Sequence, residues 1–232
     1  RMPSLNWPSM PSIDYLLRPI ALRRDLHAAF ELAFAQFMPA NAVTYDIGCG
    51  QKPFASFLVG KVRQHVGVDL ADGFYDLNQV NLIGTAYAVP AEDSVADAVI
   101  LSQVIEHLES PLLAMQEAHR LLKPGGLMFL SFPLLYPLHA APRDYLRYTE
   151  FYLSSVLTGE GFTLLHKRRI GGFWYLMGMY STMYLGEMDR GLLKVSGLIK
   201  LVSATLGWLC LALHAIEGWG LRLMGKDPDQ LS

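Results

Sequence analysis

"AVTYDIGCG", from Ala42 to Gly50, decides how the rest of this chain reads. Its first six residues are a short apolar run that stops at an acid followed by two spaced glycines. Such a run, bounded by turn residues, reads as a buried strand. Gly48 and Gly50 let the backbone turn tightly and come close to a ligand. In an open parallel sheet, ligands sit at the carboxyl ends of the strands, near the switch in strand order. The same two glycines also suit an ordinary chain reversal. A dinucleotide fingerprint needs a third glycine at position 53, where Pro53 stands instead. That argues against a pyrophosphate on the following helix.

Working outward, strand and helix signals alternate. "HVGVDL" reads as a second strand, "GTAYAV" as a weaker third, "ADAVILS" as a fourth, "GLMFLSFP" as a fifth and "FTLLHKRRIGG" as a sixth. A helix is predicted over residues 13–38, closed by Pro39. In "SPLLAMQEAHRLLKPGG" Ser110 suits a cap, Pro111 the first helical position, and Lys123-Pro124-Gly125-Gly126 a stop. "TEFYLSSVLTGEGF" is a further helix, capped by Thr149. Apolar strands separated by helices predict an α/β domain with a mostly parallel sheet covered on both faces.

Composition narrows the function classes. The chain has 232 residues, which suits one domain with an appendage. Its formal net charge is −2, so no global basic field points to nucleic acid. Charged residues are 17 % and apolar residues 52 %, with mean hydropathy +0.25. Cys49 and Cys210 give neither a disulfide framework nor a zinc pattern, so no metal site is expected. The Pro- and Ser-rich N-terminus lacks an apolar signal core, and a cytoplasmic setting is expected.

Asp69 ends the second strand, 19 residues after Gly50. A carboxylate there can accept two hydrogen bonds from a ribose diol, or cap a helix. Taken in order, "DIGCG", "GVDL", "ADAVILSQVIEHL" and "RLLKPGGLMFLSFP" resemble the class I S-adenosylmethionine-dependent methyltransferases, closest to methyltransferase type 11. The resemblance covers about residues 41–170. It implies a Rossmann-like doubly wound sheet of seven strands, the last antiparallel, although no seventh strand is evident here. It also implies S-adenosylmethionine as methyl donor and S-adenosylhomocysteine as product. Asp46, Gly48 and Gly50 would shape the pocket for the methionine end. Asp69 would hold the ribose hydroxyls, with Leu70 against the adenine. Ser102 and Gln103 would border the methyl group, and Asp97 takes the place of a structural acid. Many relatives carry an Asp that accepts the adenine amino group; Thr85 stands there, with the backbone of Ala86 and Tyr87 as the alternative.

"YPLHAAPRDYLRYTE", Tyr136 to Glu150, leaves the fifth strand where an acceptor would approach the methyl group. Ring- and charge-rich loops commonly meet ligands. Similar bacterial sequences carry a "HEEPxDYxRYT"-like segment; His139, Asp144, Tyr145, Arg147, Tyr148 and Thr149 match it, whereas Ala140 and Ala141 replace its acids. An oxygen or nitrogen acceptor must lose a proton, and a histidine suits that task at neutral pH. His139 and His107 are the candidates, each set against a structural hydrogen bond. Tyr136, Arg143, Arg147 and Tyr148 are candidate acceptor contacts, the arginines set against a salt bridge with Asp144 or Glu150. Glu106 reads as a packing or capping acid. The acceptor is expected to be a small molecule or lipid-linked; the alternative is an inactive partner or scaffold subunit.

The expected boundaries are a helical segment 1–40, the cofactor domain 41–170 and an apolar helical region 171–232. No Asp, Glu, Lys or Arg lies between Leu201 and Ile216, and Trp174, Tyr175, Trp208 and Trp219 are rings favoured at membrane interfaces. Two readings stand: the helices meet the inner membrane surface, or they pack on a second copy or partner subunit through residues 171–225.

Overall fold

The computed structural model describes residues 18–71, 77–191 and 196–226. The predicted helix residues 13–17, the N-terminal Pro/Ser stretch and the end of the "GKDPDQLS" tail lie outside them. The chain divides into two compact units, Phe30–Leu165 and a second holding the described residues before Phe30 and from His166 onward.

The first unit is built on five parallel strands: β1 (Val43–Ile47), β2 (Gln64–Asp69), β3 (Leu82–Ile83), β4 (Ala96–Ser102) and β5 (Leu122–Ser131). Their order is β3-β2-β1-β4-β5. β1 therefore lies between β2 and β4, and the order reverses there. That is the switch point at which such sheets open a crevice. Every residue of β1 is buried, as a central parallel strand requires. Helices α1 (Arg18–Phe37), α2 (Ala55–Leu58), α3 (Pro111–Leu121) and α4 (Glu150–Gly159), with short helical turns at Leu77–Gln79 and Ile105–His107, complete the described elements up to Leu165.

The core is apolar and partly aromatic. Phe30 stacks on Phe54 at 4.2 Å between ring centroids, and Phe34 meets Phe129 edge-on at 4.9 Å. Offset and edge-on ring pairs of this kind add to their area burial. Asp97 ties the amino end of the sheet together. It accepts the Val43 amide at 2.8 Å and pairs with Lys123 at 2.6 Å. The Lys123 hydrogen bond, then that of Val43, holds its pKa below the ordinary value.

Several expectations need correction. The third strand is Leu82–Ile83 rather than "GTAYAV", because Thr85 and Ala88 close a tight turn with an antiparallel bridge. "FTLLHKRRIGG" forms no strand; its backbone finds no ladder partner among the described residues. The described residues hold five strands where the resemblance implied seven. Ser110 precedes α3, with Pro111 at its start, but its side chain makes no cap bond. Thr149 does cap α4, accepting the Tyr152 amide at 3.3 Å.

In the second unit, α5 (Phe173–Gly191) and α6 (Ser196–Leu223) pack on each other. They match the predicted apolar helical region.

Candidate active site

Because the strands are parallel, their carboxyl ends share one edge. Asp46 lies in β1 with Gly48 just beyond it, Asp69 ends β2, Ser102 ends β4 and Ser131 ends β5. Gly48 and Gly50 have φ of +69° and +47°. A Cβ on Gly48 would stand 2.5 Å from Val104 Cγ2, so only glycine fits that turn. The turn is anchored on β2: the amides of Gly48 and Cys49 donate to Val68 O at 2.8 and 3.2 Å.

Asp69 is locked to the same turn. Its Oδ2 accepts the Gly50 amide at 2.7 Å and its Oδ1 accepts the Leu70 amide at 2.8 Å. Each carboxylate oxygen keeps acceptor capacity for a further donor. Asp46 is 3 % exposed and its Oδ2 meets His65 Nε2 at 3.0 Å. Burial raises its pKa against the lowering pull of His65. Asn81 completes this corner. Its Oδ1 accepts Lys52 Nζ at 2.6 Å and the Gly67 amide at 2.8 Å. Neither His65 nor Asn81 carries a sequence signal, since each acts through a partner on another strand or loop.

Further along the edge, Thr85 Oγ1 accepts the Tyr87 amide at 3.2 Å. The hydroxyl and that amide thus satisfy each other. Tyr87 OH in turn accepts the Ser110 amide at 3.2 Å. At the ends of β4 and β5, Ser102 Oγ and Ser131 Oγ lie 2.9 Å apart, and Gln103 Nε2 donates to Ser131 Oγ at 3.2 Å. Gln103 has φ +56°, in the left-handed region. Ser131 joins the candidates without having been singled out by motif.

The turn Ile105–His107 follows, and the Tyr136–Glu150 segment folds against it. Tyr145 and Leu146 amides donate to Glu106 O at 2.9 and 3.3 Å. Tyr148 is 4 % exposed and donates its hydroxyl to Ile105 O at 3.1 Å. It works as a pin for the segment. Arg147 forks onto Asp144 at 2.6 and 2.8 Å and also reaches Tyr136 O at 3.1 Å. Arg143 is exposed, and its carbonyl faces His107. Burial works to raise the Asp144 pKa, but Arg147 and the His139 amide hold it down to about 2.

His107 and His139 come together here, their rings edge to face at 4.7 Å. His107 Nδ1 lies 2.6 Å from Arg143 O. His139 Nδ1 lies 3.2 Å from both Pro137 O and Asp144 Oδ2. Carbonyl and carboxylate oxygens only accept, so both Nδ1 atoms carry the proton. In each neutral ring the lone pair is therefore on Nε2. Burial lowers the His139 pKa, against the raising effect of Asp144, which keeps the ring neutral at pH 7. Glu106 is fully buried, and neither of its carboxylate oxygens has a hydrogen-bond partner. Burial pushes it up to about 7. Its Oε1 lies 3.8 Å from His107 Nε2. Glu106, His107 and His139 place one ligand atom each within 4.8 Å of one another. That is a carboxylate–imidazole donor set of the kind borderline divalent cations take.

Residues 45–130 match the family described as methyltransferase domain. A ubiquinone biosynthesis O-methyltransferase of Ruegeria pomeroyi is 30 % identical over 129 residues, 51 % of this chain and 50 % of that protein. The chain spans about half the length of the curated relatives it matches. Among solved structures, a SAM-dependent methyltransferase from Aquifex aeolicus superposes with TM-score 0.52 at 16 % identity, over 69 % of this chain and 94 % of that one. The [4+2]-cyclase SpnF superposes with TM-score 0.54 at 17 % identity, over 84 % and 77 %. At such identities these two superpositions speak to the fold alone.

Proposed function

We infer that this chain, which carries a class I S-adenosylmethionine-dependent methyltransferase domain over residues 45–130, transfers a methyl group to an oxygen (or nitrogen) of a small or lipid-linked acceptor. The observation that carries the reading is the Asp69 carboxylate, fixed by the Gly50 and Leu70 amides at the end of β2, beside the switch point. A ribose diol needs an oriented pair of acceptors there, and a rigid carboxylate supplies both at low entropic cost. The bound S-adenosylmethionine supplies a sulfonium methyl with its own leaving group. Asp69 would hold the ribose, and the Gly48–Gly50 turn would let the methionine end approach the backbone. Ser102, Gln103 and Ser131 offer polar groups where β4 and β5 end.

The acceptor side is formed by His107, His139 and their neighbours. The acceptor oxygen would bond to the methyl carbon as that carbon leaves sulfur, releasing S-adenosylhomocysteine, and the acceptor's proton would pass to His139 Nε2, with His107 beside it. Asp144 orients His139 through Nδ1 and stabilises the ring once it is charged. Ala140 and Ala141 lack the acids of the related pattern, yet Glu106 and Asp144 bring two carboxyl groups to the same rings. This supports an active enzyme over an inactive partner. The name borne by the Ruegeria pomeroyi relative favours oxygen as the accepting atom and a lipid-like acceptor.

The test is incubation with S-adenosylmethionine carrying a labelled methyl, presented with small phenols and, separately, with a lipid extract. Label in an organic acceptor, lost in His139→Gln, supports the reading. Label that never leaves the donor in either mixture overturns it.

A further inference from the structure

The α5–α6 hairpin is packed inside out. Where the helices meet, α6 contributes Gly207, Cys210 and His214. A Cβ on Gly178 of α5 would stand 2.8 Å from Cys210 Cβ, and one on Gly207 would stand 3.2 Å from Thr182 Cγ2. His214 faces Gly172 and meets the Tyr175 ring edge-on at 5.9 Å. Cys210 is the one buried residue among the described side chains of α6. Tyr175 and Met179 of α5 are buried, but no bulky apolar side chain described on α6 is, and several point the other way: Trp208 is 69 % exposed, Trp219 64 % and Leu223 67 %. In water the large apolar side chains drive helices together and belong between them. Close contact through small residues, with bulky ones turned outward, is the arrangement of helices in lipid.

Three further observations agree. The stretch Leu201–Leu223 is 23 residues long and apolar enough to cross a membrane, and only 6 % of its 18-residue apolar window is buried. A core helix of a soluble domain would be mostly buried. Thr205 is exposed, yet its hydroxyl donates to Leu201 O and Val202 O of its own helix, at 2.9 and 3.0 Å. A hydroxyl in hydrocarbon has no water to bond, and a carbonyl one turn back on its own helix satisfies it. Finally, the charges are arranged for an anionic surface. Lys167-Arg168-Arg169 precedes α5, and no Asp or Glu occurs from Gly161 to Gly186. Lys167 and Arg168 are exposed.

We propose that the α5–α6 hairpin seats in an anionic lipid bilayer, its outward apolar faces in the hydrocarbon and the exposed Lys167 and Arg168 among the headgroups. The 16 residues from Leu201 to Ile216 free of Asp, Glu, Lys and Arg amount to about 24 Å of helix. That is shorter than a hydrocarbon core of about 30 Å. Although the whole of Leu201–Leu223 has the length to cross, its charge-free part is short for a span, so in this proposal the hairpin sits at one side of the bilayer, held by its cations. A second copy of the chain is the competing occupant. It would account for the exposed apolar face but not for the small-residue seam or the basic run.

The test is flotation of the whole chain with phosphatidylcholine–phosphatidylglycerol vesicles and with pure phosphatidylcholine vesicles. The protein is expected to float with the first and much less with the second. Replacing the exposed Lys167 and Arg168 by Gln should weaken partitioning onto the anionic vesicles by about tenfold or more. Brominated acyl chains should quench the tryptophan emission of the unaltered protein, and Trp208→Phe should reduce that quenching. The last two measurements need no charged substitution in the hairpin, so misfolding does not mimic them. A protein that stays at the bottom of the gradient, keeps its tryptophan emission and sediments as a dimer in detergent-free buffer overturns the proposal.

Discussion

His107 and His139, one just after β4 and the other in the segment after β5, meet edge to face with ring centroids 4.7 Å apart. Backbone and carboxylate oxygens fix the proton of each ring on Nδ1. Two imidazole lone pairs are thereby held in one place, at the edge where the sheet opens. In the proposed reaction this pairing would supply the base beside the cofactor edge.

His139→Gln is expected to lower kcat by about a hundredfold, the scale of a lost general base, with S-adenosylhomocysteine affinity unchanged. Burial lowers the His139 pKa from 6.5, so the neutral, competent ring already dominates at pH 7. The rate should rise through a midpoint below the ordinary histidine value and stay flat above it. Steady-state kinetics across pH checks this; a midpoint above 7 would contradict the assignment.

Asp144→Asn should loosen the whole Tyr136–Glu150 segment. It removes the fork to Arg147 and weakens the hold on the His139 amide. Asp144 is 4 % exposed and Arg147 23 %, so the loss should approach that of a buried pair, about 3 kcal/mol. Because its folded pKa is depressed to about 2, this stability is present above pH 4 or so and lost as pH falls through about 2. Chemical denaturation of the variant across that range measures both.

Glu106 runs in the opposite sense. Burial raises it from 4.5 to about 7, so its favourable, protonated state is present in full at low pH. Stability should decline as pH rises through about 7, by an amount on the order of 3 kcal/mol. Glu106→Gln should flatten that decline while leaving the acid limb to Asp144. Denaturation midpoints at pH 5 and pH 8 compare the two proteins directly.

Gly48→Ala is expected to cost about 2 kcal/mol or more, from positive φ together with overpacking on Val104. Val104→Ala should relieve the overpacking part but not the backbone part. A double-mutant cycle by thermal unfolding separates the two, and full additivity would mean that the contact has no energetic weight.

Much of this fold is legible where the signal is local. "ADAVILS" is β4 residue for residue, Thr149 caps α4, and Pro111 opens α3. The misreadings fall where structure depends on a distant partner. "FTLLHKRRIGG" has strand-like composition, but a strand exists only when another backbone lies beside it. "GTAYAV" looks apolar enough for a strand, yet Thr85 bonds the Tyr87 amide and turns the chain instead. At the site, Gly48, Gly50 and Asp69 stand out because their spacing carries the geometry. The salt bridge of Arg147 with Asp144 is legible as the alternative to an acceptor contact, but the burial of Asp144 emerges only from the folded segment. Glu106 likewise gives no hint in sequence that its carboxyl group is sealed from water.

The central claim rests on Asp69, and calorimetric titration with S-adenosylhomocysteine tests it most directly. The unaltered protein should bind it and ignore NAD. Asp69→Ala would remove the two charge-assisted hydrogen bonds proposed to the ribose, roughly 1.5–3 kcal/mol each, and Asp69→Asn keeps the shape while removing the charge. Both should weaken binding by at least about tenfold, the alanine variant more. A chain that binds no S-adenosylhomocysteine, or whose two variants bind it as tightly as the unaltered protein, would contradict the account.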